Sequence, residues 1–144
     1  MEQAALAFCV RLAERMSGKP DLLRDVSVQH NRIGSTHLSM GKPDAAAASH
    51  RAALSVMERI VRDAPDRAGF LADQAFAQWK LGEALAATDN GKKAGAVREE
   101  AKASLSAALE ALTRLRDAKK IDEDTQKWIP DVEAALKTVS EPPK

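Results

Sequence analysis

Tyrosine is absent from this 144-residue chain, and aromatic residues make up only 3% of it. A core of that composition, rich in Ala, is built by close backbone approach of helices rather than by large rings. The single cysteine, Cys9, excludes an internal disulfide and reads as a small buried hydrophobe. Lys and Arg number 22 against 21 Asp and Glu, a net charge of +1, so the basic face that nucleic-acid binding requires is missing. No apolar run reaches the ~18 residues of a membrane span. The opening MEQAALAFCVRLAERM has an acid at position 2, no basic lead and charges inside its apolar stretch, so it does not read as a signal peptide. A cytoplasmic protein with neither nucleic acid nor membrane as partner is expected.

Catalytic signatures are missing too. The serines are scattered and no G-x-S-x-G elbow exists, nor any H-E-x-x-H or C-x-x-C. Gly41-Lys42 and Gly91-Lys92 lack the upstream Gly and the following Ser or Thr of a phosphate loop. The expectation is no enzyme and no cofactor. Glu99-Glu100 and Asp122-Glu123-Asp124 read as solvated acids.

What is present is ample for one domain: 44% hydrophobic and 30% charged residues. From Asp25 to Leu54 the chain reads as two helices and a tight turn, with Gly34 in the first, Ala46 and Ala53 in the second, and Gly41-Lys42-Pro43-Asp44 between them. A shift of 48 residues carries Arg32-Ile33-Gly34 onto Lys80-Leu81-Gly82 and Asp25 onto Asp73. A shift of 50 then carries Gly41, Ala46 and Ala53 onto Gly91, Ala96 and Ala103, which predicts two extra residues in the second turn. Repetition at this period predicts an all-α solenoid of antiparallel hairpins.

The spacing Ile33-Gly34, His37, Gly41, Asp44, Ala46, His50, Ala53-Leu54 resembles the tetratricopeptide repeat. The match covers Ser27 to Val61 well and Ala75 to Leu112 less well. It departs from the family where interlocking aromatic rings belong, with His30, His37 and His50 in one copy and Gln78, Leu85 and Glu100 in the other. The helices also exceed what a 34-residue unit needs, and the closing Pro survives only as Pro20 and Pro65. The resemblance implies a right-handed superhelix that binds a protein or peptide, and elongated repeats of this kind resemble parts of larger bacterial regulatory or signalling proteins.

In chain order, one domain over 1–139 is expected, with a tail over 140–144. A half-repeat helix spans 1–18, full repeats span 21–63 and 66–118, and a capping helix spans 122–139, about six helices in all. The half-repeat is apolar on more than one face, and its Leu12-Ala13-Glu14-Arg15-Met16 aligns with Val56-Met57-Glu58-Arg59-Ile60. It therefore reads as the second helix of a hairpin whose first helix precedes it in a longer array, or as a dimer surface centred on Phe8. Asp21, Asp44, Asp66 and Asp122 or Asp124 are expected helix caps. The first full repeat is expected to bury Leu22, Leu23, Val26, Ile33 and Leu38, then Ala46, Ala53, Leu54, Met57, Ile60 and Val61. The second is expected to bury Phe70, Leu71, Ala75, Leu81 and Leu85, then Val97, Ala101, Leu105, Ala108, Leu109, Leu112 and Leu115, with its second helix outlasting the first. Ile129, Val132, Ala135, Leu136 and Val139 would cover the open end, with Trp128 in the cap core and a break or shift at Pro130.

Two constellations remain. His30 and His37, seven apart on one helix, and His50 opposite could make a zinc site. No acid or Cys stands at ligand spacing beside them, so packing in the aromatic slots, or a protonation switch, competes with metal. By motif position, the resemblance implies a groove lined by Val28, Asn31, Ser35 and Leu38 from one copy and by Phe76, Trp79 and Glu83 from the next. Phe76 and Trp79 share a helix face outside the apolar stripe; they are exposed anchors unless a following helix covers them. Arg32 and Lys80 could meet an acidic ligand. The Lys-x-x-x-Asn carboxylate clamp of the family is absent, since Asn31 and Ser35 stand there.

Overall fold

The computed structural model describes residues 19–88 and 95–141, together with positions 4, 7 and 11. Helix α1 spans Pro20–Ser39 and α2 spans Pro43–Asp63, and both start alike: a Lys at the boundary, Pro in the first helical position, Asp behind it. Proline suits that position because its missing N–H would have had no partner. Asp21 and Asp44 are thus not the caps but stand two positions past them, inside the first turn, where their charge still meets the positive helix end. Gly41 closes α1 at φ +74, and the N–H groups of Gly41 and Lys42 return to the Leu38 and His37 carbonyls at 3.0 and 2.8 Å.

After Ala64-Pro65-Asp66 comes α3, Ala68–Thr88, and then α4, Ala96–Asp117. These two are nearly equal, 21 and 22 residues, so α4 does not outlast its partner as expected. Asp122 caps a short α5, Glu123–Gln126, by accepting the Thr125 N–H at 2.7 Å. The last helix, α6, runs Trp128–Ser140 with Pro130 in its first turn, so the break expected at Pro130 falls at Lys127 instead. A proline is tolerated there because first-turn N–H groups have no intrahelical acceptor. The expected N-terminal helix and the Asp89-Asn90-Gly91 turn lie outside the described residues.

The helices pack in sequence and antiparallel: α1 on α2, α2 on α3, α3 on α4, α4 on α6, with α1 also touching α3 and α3 touching α6. Two contacts set the spacing within each pair. A Cβ on Gly34 would stand 2.6 Å from Nε2 of His50, and one on Gly82 would stand 2.6 Å from Cγ of Leu105. Both glycines are therefore sites of close helix approach, as their repetition implied.

The second contact corrects the register. Fully buried Ala46, His50, Ala53, Met57 and Ile60 on α2 correspond to buried Ala101, Leu105, Ala108, Leu112 and Leu115 on α4, a shift of 55 throughout. Ala96 and Ala103, expected partners of Ala46 and Ala53 at a shift of 50, are exposed. Helix α1 brings a second correction. Its buried face is Leu23, Val26, Ser27, His30, Asn31, Gly34 and His37, while Leu22 and Ile33 stay 37% and 38% exposed. A largely polar packing face hides from hydrophobic periodicity.

Candidate functional site

A cleft of about 610 Å³ opens where α1, α3 and the start of α6 converge. That volume lies within the range typical of ligand sites. Helix α1 supplies Val28, Asn31, Arg32, Ser35 and Thr36 as one wall; Phe76 and Asp73 of α3 and Trp128 of α6 form the other, with Ser27 and Met57 at the floor.

The aromatic wall, Phe76 and Trp128, belongs to a cluster of three rings. Phe76 meets Trp79 edge-on with centroids 5.7 Å apart, and Trp128 lies 5.1 Å from Phe76 and 6.1 Å from Trp79. Trp79 is the buried member, 7% exposed, and its indole N–H finds no acceptor among the described residues. It stands behind the wall rather than in it, which corrects its assignment as a groove anchor: α6 covers the face it shares with Phe76. Trp128, expected in the cap core, is half-buried and packs on that core while also lining the cleft.

Of the other expected groove residues, Val28, Asn31, Ser35 and Phe76 do line the cleft. Leu38 turns into the core, half-buried. Glu83 sits 3.8 Å from Lys80, off the cleft. Lys80 itself is held above Trp79 at 3.9 Å from the ring centroid, so it is engaged within the fold. Arg24 and Asp73, which the sequence did not single out for the groove, bridge its walls by an ion pair.

The histidines do not converge on a metal: among the described residues no three His, Cys, Asp or Glu side chains are grouped as such a site requires. His50, fully buried, shares a 2.8 Å hydrogen bond with Oδ1 of Asn31 through Nδ1. Burial, with help from the Lys80 charge, pushes its pKa down to about 4. His30 is buried with no hydrogen-bond partner at either ring nitrogen among the described residues, and burial lowers its pKa too. His37 is buried on the same face of α1. His50 sits in the α1–α2 contact, its ring against Gly34.

No helix among the described residues is long and apolar enough to cross a membrane. Comparison with protein-family models, with curated proteins and with solved structures returns no match. The cleft is therefore interpreted from its own chemistry.

Proposed function

We propose that this chain is a non-catalytic protein- or peptide-interaction module of the cytoplasm, part of a larger regulatory or signalling protein, its hairpins tetratricopeptide-like repeats of a right-handed superhelix. The observation that carries the reading is the cleft: an open, elongated surface between α1 and α3 with two half-exposed aromatic rings on one wall and hydrogen-bonding side chains on the other. Aromatic anchors beside polar groups are what peptide recognition uses. The recurrence of the glycine contact, Gly34 on His50 and Gly82 on Leu105, supports the repeat interpretation.

Selection from a displayed random-peptide library on the intact chain tests the reading. Binders are expected, and they should lose roughly 30-fold or more in affinity for Trp128→Ala, the effect of removing a central aromatic anchor. Because Trp128 also packs on the core, Val28→Arg, an obstruction placed at an exposed position, serves as a second variant. A library that yields nothing, or binders indifferent to both changes, sinks the proposal.

A second reading, self-assembly, draws on Leu22, Ile33 and Met40, which share one face of α1 and remain exposed. Phe8, the anchor first considered for it, lies outside the described residues. Light scattering across a concentration series, with Ile33→Glu as the disrupting variant, decides it: a monomer at every concentration removes this alternative.

A further inference from the structure

The groups that face the cleft are unequal in charge and in hydrogen-bonding direction. Arg24 and Asp73 engage each other through Nε and Nη2, so their charges cancel locally. Arg32, exposed on the α1 wall, has no acidic partner among the described residues. One guanidinium is therefore left over.

Two hydroxyls at the cleft have already committed their protons and add no donor to it. Ser27 Oγ already donates to the Ala53 carbonyl at 3.2 Å, and Thr36 Oγ1 donates to the Arg32 carbonyl at 3.0 Å. Asn31 is the informative one. Nδ1 of His50 lies 2.8 Å from Oδ1 of Asn31, and an amide oxygen can only accept, so the proton belongs on Nδ1 and Nδ1–H donates to Oδ1. With its orientation fixed by that bond, Asn31 has both N–H groups of its amide to donate. An unpaired guanidinium and a held amide donor thus stand across from Phe76 and Trp128.

We infer that the cleft takes a peptide segment in which an Asp or Glu carboxylate meets Arg32 and Asn31 while a neighbouring large apolar side chain lies on Phe76 and Trp128. The inference rests on the cleft being a peptide site. The one guanidinium of the cleft left without an acid among the described residues matches one carboxylate, whereas phosphate recognition draws on clusters of Arg. Asn31 acts as a specificity residue, and His50 is the positioning residue behind it.

The peptides recovered from the library are the probe. Those that depend on Trp128 and Val28 should carry an Asp or Glu within a few positions of a Leu, Phe or Trp. A synthetic peptide of that sequence should bind roughly three- to five-fold more tightly than its Asn or Gln counterpart, the range of one solvent-facing charge pair. Arg32→Gln should erase that difference, and added salt should shrink it. Cleft-dependent peptides without acids, or an acid preference that survives Arg32→Gln, overturn this inference and leave the peptide-site reading standing. An empty library, or binders insensitive to Trp128→Ala and Val28→Arg, overturns both.

Discussion

Gly34 of α1 lies so close to the imidazole of His50 on α2 that a methyl group between them would stand 2.6 Å from Nε2, and Leu105 occupies the matching place against Gly82. The first pair predicts a mutual dependence. Gly34→Ala should destabilise the protein by about 1–3 kcal/mol through overpacking, read from denaturant midpoints. His50→Ala should largely relieve the added cost, so the double variant should be more stable than additivity allows. Additive effects would mean the two helices separate freely here.

The same ring makes stability pH-dependent. Burial holds the folded pKa of His50 at about 4, below the ordinary 6.5, and lowers that of His30 as well. The unfolded chain therefore gains these protons first as pH falls. Stability should be complete above about pH 6.5 and decline toward pH 4, with His50 alone responsible for about 3 kcal/mol at the lower end. His50→Leu should stay folded, since Leu105 fills the equivalent place, and should flatten the acid side of the stability curve. A slope identical to wild type in that variant would contradict the assignment.

The register of α4 can be checked with two alanines. Ala108 is fully buried and Ala103 is exposed. Ala108→Leu should cost about 1–3 kcal/mol, while Ala103→Leu should fall within about 0.5 kcal/mol of wild type. Thermal or urea unfolding that reversed this order would restore the shift of 50.

Lys119 closes α4 in a left-handed conformation, φ 57, with Lys120 N–H returning to the Leu115 carbonyl at 2.9 Å. Gly41 performs the same closure on α1 without a Cβ. Lys119→Gly should therefore stabilise the protein by about 1 kcal/mol, seen as a raised unfolding midpoint.

Much of this architecture was legible beforehand for definite reasons. Gly34, Gly82 and Gly41 are unusual residues in helical surroundings, and each marks a close contact or a turn that glycine favours. The buried stripe of α4, Ala101, Leu105, Ala108, Leu112 and Leu115, was legible too, but its alignment with α2 was not, because Ala96, Ala101, Ala103 and Ala108 lie on several faces of the helix. The packing face of α1 was obscured by Ser27, His30, Asn31 and His37, which look like surface residues until a facing helix is supplied. Within the cleft, the motif positions of the resemblance placed Val28, Asn31, Ser35 and Phe76 together. It could not tell Trp79 from Trp128, because the position of α6 decides which indole is covered.

Gly34 and His50 are 16 residues apart, Gly82 and Leu105 are 23. Most of that difference falls between the helices: residues 40–42 join α1 to α2, whereas 89–95 join α3 to α4. The second hairpin thus has the longer connection while presenting the corresponding faces inward. Length at the α3–α4 joint is decoupled from pairing: residues could be gained or lost there while Gly82 kept its neighbour. The walls of the cleft, drawn from α1, α3 and α6, would feel such a change only through the seating of α6 on α4.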